Sequence, residues 1–390
     1  MAVELREPES RPDDDLRPDE ELEAEDRPNE IQTRPRAFHR RDWWVLLGCA
    51  GSSFSLMYLV FFRLTPLSGI VGFILSWYAA FLVIYRLVVG ELEGSRFARD
   101  RVMAVIVVTS GVLVLLPLVL LIGYVVMKGL PGISWDFLTK DQRIGGPLDP
   151  YSAGGAAHAI VGTLEQVALA VALSVPLGIM CAIFLNEIGG PLQRPVRIFV
   201  DAMSGVPTII AGLFIYSTWL IGLGHGFSGF AAALAISISM LPVVTRTAEE
   251  VLRLVPDGLR EASLALGTTE HRTVTGVVLP TARAGLVTAI ILGVARAVGE
   301  TAPLIMTSFG SAVMNANPFK DPQSSLPIYI FRNYSLGEGV PLQRAWSAAL
   351  ILITLVLVLF TLARVLGSWD RGNGRRSKAS TTMGIIEPPD

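Results

Sequence analysis

Arg296 and Glu300 stand inside the apolar run Ala284 to Thr307, in the string Arg296-Ala-Val-Gly-Glu-Thr-Ala-Pro303. An Arg at the centre of a membrane-spanning helix costs about 2.5 to 3.5 kcal/mol on insertion scales, so it needs a partner or a use. Residues four apart share one helix face, and these two side chains can offset each other's charge. Two roles fit that spacing. The pair is either an internal ion pair that fixes helix packing, or part of a solute path in which Arg296 attracts an anion and Glu300 orients it. Glu165, after Gly162-Thr163 in the outer part of another apolar run, is a further charged position of this kind. Ser204 and Thr208 flank Gly205-Val206-Pro207, share a helix face, and are expected to serve as hydrogen-bond donors for a polar cargo. Close helix packing through small residues is the competing use. Asp201 lies one turn from Arg197, which predicts an ion pair at a helix end.

Other chemistries have no residues to run on. Cys49 and Cys181 fall in apolar runs and behave there as small hydrophobes. His39, His158, His225 and His271 are scattered without paired spacing, so neither a metal nor another cofactor is implied. There is no Gly-x-Ser-x-Gly elbow and no pair of catalytic carboxylates. The phosphate loop Gly-x4-Gly-Lys-Ser/Thr is also missing, so the chain is expected to be a non-catalytic subunit that takes ATP energy from another protein.

The elements that must position these residues are membrane spans. Of 390 residues, 51% are hydrophobic and 17% charged, against about 25% charged in soluble globular chains. A window of about 19 residues predicts eight spans in an all-α membrane protein. They are Trp43 to Phe62, Ser68 to Gly90, Val102 to Met127, Ala159 to Leu185, Ile198 to Gly222, Phe230 to Val244, Ala284 to Thr307 and Trp346 to Leu366. The sixth is short and must borrow neighbours. Arg-rich loops, including Arg194, Arg197, Arg246, Arg253, Arg260, Arg272 and Arg283, collect on one side. The positive-inside rule then puts both termini and the 245–283 loop in the cytoplasm. The segments Lys128 to His158 and Ser308 to Arg344 face outward as ordered caps. Residues 1–42 form an acidic tail with thirteen Asp/Glu against four Arg up to Glu30, expected to be disordered and solvated. Residues 43–101 carry two extra spans, residues 102–368 a six-span core, and residues 369–390 a second tail.

The 245–283 loop carries the sharpest local signal. Pro256-Asp257 punctuates a helix start, Leu259, Ala262, Leu264 and Leu266 give an apolar face, and Gly267 allows a turn before a second short helix. Such a helix could lie on the membrane surface. The spacing points elsewhere. Glu261-Ala262-Ser263, three residues, Gly267, nine residues, Val277, one residue, Leu279-Pro280 resembles the EAA loop of ABC importer permeases. Ser263 and Val277 replace Ala and Ile of that pattern.

The resemblance implies a type I permease core and a coupling helix that docks on an ATPase subunit. Glu261 and Gly267 would be docking residues there, with Ala262, Ser263, Leu279 and Pro280 completing the coupling set. Further strings are similar to the PstA family of phosphate importer permeases, over roughly Val102 to Leu366. They are Ser204-Gly-Val-Pro-Thr208, Leu241-Pro-Val-Val-Thr-Arg-Thr-Ala-Glu-Glu250, Leu254-Val-Pro-Asp257 and Arg296-Ala-Val-Gly-Glu-Thr-Ala-Pro303. By that similarity the substrate is phosphate and the chain sits in a bacterial inner membrane with lipid around it. Its partners would be a PstC-like second permease, a PstB-like ATPase dimer and a PstS-like extracytoplasmic binding protein. Arg296, Glu300, Ser204, Thr208 and Glu165 are the expected path residues. Sulfate or molybdate as cargo, and a membrane scaffold for phosphate sensing, are the alternatives. The residues themselves do not separate these anions.

Overall fold

The structure, a computed structural model, describes residues 40–64 and 69–369. The acidic segment up to Glu30 and the tail from residue 370 lie outside the described residues. Contacts divide the chain into two compact units, Met1–Leu115 and Leu116–Asp390.

The first unit is a helical hairpin, α1 (Arg40–Leu59) and α2 (Ile70–Glu93), followed by the start of α3 (Ser95–Gly129). Cys49, Phe81, Tyr85, Val89 and Ala98 form its core. The Trp77 indole donates to the Ala50 carbonyl at 3.1 Å, and Arg101 pairs with Asp42 at 3.0 Å. None of the eighteen most apolar residues of α3 is buried.

In the second unit α5 (Ala157–Ile183), α8 (Gly229–Arg253) and α11 (Leu279–Val298) make the central block. Small residues bring them together. A Cβ on Gly178 would meet Val244 at 2.9 Å, and one on Gly293 would meet Val244 and Met240. Around that contact Ala170, Ala232, Ala233, Ile236, Met240, Val244 and Ala297 are buried together. The last long helix, α14 (Val340–Trp369), packs on α11 and on the short α13 (Leu326–Ser335).

Seven helices are long and apolar enough to cross a membrane among the described residues, and one bent pair makes an eighth. The protein is therefore an all-α, multi-pass membrane protein. Three predicted spans differ from what the structure shows. The fifth is broken into α6 (Gln193–Ser204) and α7 (Thr208–Ile215, continued by a π turn to Gly222), at 103° to each other. Pro207 drives Val206 away from helical geometry, and α6 before it carries the charges of Arg194, Arg197 and Asp201. The sixth does not stop at Val244. It runs to Arg253, because Thr245, Ala248, Glu249 and Leu252 are all buried on one face. The seventh stops at Val298, and a separate α12 (Ala302–Thr307) follows the break at Gly299 to Thr301.

At one end of the bundle the 254–269 hairpin joins α8 to the helix beginning at Glu270; this is the hairpin end. At the other, the cap end, the 130–156 segment, which holds the short α4 (Trp135–Thr139), and the 308–339 segment are ordered and tied together. Gln142 donates its amide to Ala312 at 3.0 Å, and the Met314 amide donates to Asp141 at 3.2 Å. Arg344, fully buried, donates to the carbonyls of Gly146 at 3.0 Å and Pro150 at 3.1 Å.

Candidate functional site

The hairpin end is built around α9 (Asp257–Ala265), a nine-residue helix with no buried residue. Pro256 stands at its N-cap. Asp257 does not cap it, and instead accepts from Arg260 at 2.9 Å. Leu254, Leu259, Leu264 and Leu266 are exposed large apolar residues, and Glu261 is exposed beside them. Gly267 has φ +80 and nothing within 4 Å of where a Cβ would stand. Its requirement is conformational, not steric. Ser263 closes the turn: its hydroxyl lies 2.8 Å from that of Thr268 and 2.9 Å from that of Thr273, at the end of α10 (Glu270–Thr273). A hydroxyl where the family pattern has Ala is thus used as a fastener. Beneath the hairpin Ala182, Ala248, Leu252, Val255, Val278 and Ala282 form one buried cluster. Leu279 and Pro280 open α11 beside it, with Pro280 in its first turn.

Two carboxylates that sequence reading passed over organise this end. Glu249, 2% exposed, accepts from Arg197 at 2.6 Å, Arg253 at 2.6 Å and Arg246 at 2.9 Å. Arg246 also pairs with Asp201. The expected Asp201–Arg197 pair is therefore replaced by cross-helix pairs that tie α6 to α8. Glu187, in the π turn that ends α5, accepts from Arg260 Nε at 3.1 Å and Nη2 at 2.8 Å. That carboxylate, followed by burial acting the other way and the charge of Asp257, leaves Arg260 above its ordinary pKa. The guanidinium is charged at any working pH. Arg246, Glu249 and Arg253 lie three and four apart, a signal that was readable. Glu187 had no local signal.

The short helices that follow the two breaks pack on each other. A Cβ on Gly212 of α7 would meet Pro303 of α12 at 2.6 Å. Ser204 and Thr208 sit on opposite sides of the first break, so they do not share a helix face. Ser204 donates back to Val200 at 3.1 Å, within its own helix. Arg296 ends α11, with its side chain 49% exposed, and Glu300 lies in the second break at 14%. Arg296 Nε is 3.8 Å from Glu300 Oε1, so the pair forms across a chain break instead of along one helix. The long separation and the open guanidinium leave Arg296 able to take a second anion.

Glu165 lies apart from these, nearer the cap end of α5. It accepts from Gln323 Nε2 at 2.5 Å, and Gln323 Oε1 accepts from Gln166 Nε2 at 3.1 Å. Gln323 is fully buried, and the segment bearing it reaches between α5 and α8 because Gly162 and Gly229 leave room. No pattern in the sequence marks Gln323, since its burial depends on residues of α5 and α8 far away along the chain.

A family model described as "Binding-protein-dependent transport system inner membrane component" matches residues 174–369. The chain is 43% identical over 256 residues to "Phosphate transport system permease protein PstA 1" of Mycobacterium tuberculosis (strain ATCC 25618 / H37Rv), covering 64% of this chain and 82% of that protein. It is 34% identical to "Phosphate transport system permease protein PstA" of Yersinia pestis, over 70% of this chain and 90% of that one. Among solved structures, an inward-facing MetNI methionine ABC transporter aligns with 55% of this chain and 90% of its own, at 22% identity and a TM-score of 0.40. The chain belongs to the binding-protein-dependent inner-membrane transport components, among the phosphate transport system permeases of the PstA type.

Proposed function

We propose that this permease subunit of a phosphate importer works by passing the motion of a separate ATPase from α9 to the paired breaks at Gly205–Pro207 and Gly299–Thr301. The observation that carries the reading is the hairpin around α9: Leu259 and Leu264 on the helix, Leu254 and Leu266 beside its ends and Glu261 are all exposed, and among the described residues none buries them, on a glycine turn. On this reading the hairpin end is cytoplasmic, both termini lie there, and the cap end faces a phosphate-binding protein. The basic residues at the hairpin end support that orientation. The bare apolar length of α3 offers the surface a second, PstC-like permease needs. ATP hydrolysis belongs to a PstB-like dimer, and the solute arrives on a PstS-like protein.

Phosphate meets Arg296, whose half-exposed guanidinium can form charge-assisted hydrogen bonds to its oxygens. Glu300 holds Arg296 when no solute is present, while Ser204 and Thr208 border the first break, whose following helix packs on α12. Broken spans are where membrane carriers place their solute sites, since the freed backbone groups can face a polar path. The test is uptake of labelled phosphate by proteoliposomes containing all four kinds of subunit, with sulfate and molybdate as competitors. Arg296→Ala is expected to lower uptake at least tenfold while the complex still assembles. Wild-type uptake by that variant, or uptake without the ATPase, would refute the mechanism. Preferential inhibition by sulfate would refute the cargo.

A further inference from the structure

Arg260 points the opposite way from the docking face. It neighbours Glu261, which is exposed, yet its own side chain is only 18% exposed and reaches back into the bundle. There it fills a socket. Two nitrogens meet Glu187 in a fork, Nη1 reaches the Val255 carbonyl at 2.7 Å, and Nη2 reaches the Leu252 carbonyl at 3.0 Å. Glu187 is itself braced by Asn186 at 2.6 Å and is 6% exposed. A planar guanidinium gripping a buried carboxylate with two parallel bonds resists both sliding and rotation, which a single-point contact does not. No other side chain of α9 is so deeply covered, and among the described residues this fork and the Ser263 hydroxyl contacts are the side-chain hydrogen bonds that tie it to the rest of the bundle.

We propose that the Arg260–Glu187 fork is the joint that carries displacement of α9 into α5. The proposal rests on α9 being the ATPase docking helix. The hydroxyl contacts of Ser263 lead to the base of α11, whereas the fork leads to the helix that bears Glu165 and, through Gln323, the cap segment. Arg260 and Glu187 are thus positioning residues: they touch no solute, and they decide whether hydrolysis at one end is felt by a helix that reaches the other.

The test uses the complete importer in proteoliposomes and reads phosphate transported per ATP hydrolysed. A variant that merely loses folded complexes lowers uptake and hydrolysis together and leaves this ratio unchanged. Arg260→Ala and Glu187→Ala are each expected to lower the ratio at least tenfold, with the ATPase still co-purifying and hydrolysing. The double variant is expected within about twofold of the worse single, since one joint can be lost only once. Glu187→Gln, which keeps hydrogen-bonding atoms without the charge, should fall between. An unchanged ratio in both single variants overturns the proposal, as does a double variant whose loss is the product of the two. Loss of the ATPase from the single variants but not from the unsubstituted chain also overturns it, because the fork would then shape the docking surface only. Loss of the ATPase from the unsubstituted chain instead refutes the docking reading, and the joint falls with it.

Discussion

Gly267 allows backbone strain to be separated from steric bulk. At φ +80 an L-residue suffers the left-handed penalty of about 1 to 2 kcal/mol, whereas the space around the site is open. Alanine adds a methyl that meets nothing, so its cost is conformational: a population shift of roughly fivefold to thirtyfold away from the native turn. Asn, which visits left-handed geometry more readily, should cost a fraction of that, and Val more than Ala because branching narrows its backbone choices further. The expected order is Gly, Asn, Ala, Val. The assay is the fraction of ATPase that co-purifies with the permease at fixed detergent, together with phosphate uptake in proteoliposomes. Both should fall along that order, with Asn within about threefold of wild type. If Asn is as damaging as Val, the position is sensitive to bulk against the partner surface and the conformational argument is wrong.

Three other outcomes follow from particular contacts. Gly162→Ala places a Cβ inside the Ser324 carbonyl, so the cap segment must lift; melting of the purified chain in detergent should fall by a margin consistent with the roughly 1 to 3 kcal/mol cost of overpacking. Glu249→Gln leaves three guanidiniums around a neutral amide. Their exposures of 30 to 52% allow some rehydration, so the loss should be about 2 to 3 kcal/mol, below the full cost of breaking a buried pair, and visible as earlier proteolysis near α6. Burial alone would raise the Asp141 carboxyl, but amides of Met314 and Arg143 and the Arg143 guanidinium outweigh it and hold the group below its usual range. A depressed value stabilises the folded state above the unfolded carboxylate range and stops doing so as pH falls through the folded value. Hydrogen-exchange protection of the Met314 amide should therefore hold from pH 7 to 5 and drop only below about pH 4. Asp141→Asn should remove that drop.

The parts of the fold legible in the sequence are those whose cause is local. Eight apolar stretches announced the spans, and Pro256, Gly267 and the spacing between Glu261 and Pro280 announced the hairpin. A hydropathy window is blind to a break shorter than itself. Ile198 to Gly222 averages as one apolar run, although Pro207 bends it by 103°. The same averaging joined α11 to α12 across Glu300. Longer-range causes were invisible for another reason. Thr245 to Arg253 reads as polar and looks like loop, yet it stays helical because Arg197, 52 residues earlier, covers Glu249. Asp201 was paired with the nearest Arg along its own helix, but the 103° turn brings Arg246 to it instead.

The distribution of glycines shows which helices belong to one body. Gly178 and Gly293 seat α5 and α11 against Val244 of α8, and each Cβ that is missing is a place where side chains have closed the gap. Interiors packed at crystal-like density transmit displacement instead of absorbing it. A push on Glu187 therefore reaches α8 and α11 through the core of the bundle, and Glu165 along α5, 22 residues away or about 33 Å of helix. The two broken segments are built differently. α7 and α12 meet each other through Gly212 and Pro303, and the residues joining each to the helix before it replace the i to i−4 ladder with single turn bonds, Gly205 to Ala202, Val206 to Met203 and Glu300 to Ala297. Rotation is cheapest where no ladder must be broken, so a moving central block turns against these short helices before it deforms itself. Arg296 lies in the last turn of the block and Glu300 in the break, so their 3.8 Å separation is set where the stiff and the compliant parts meet.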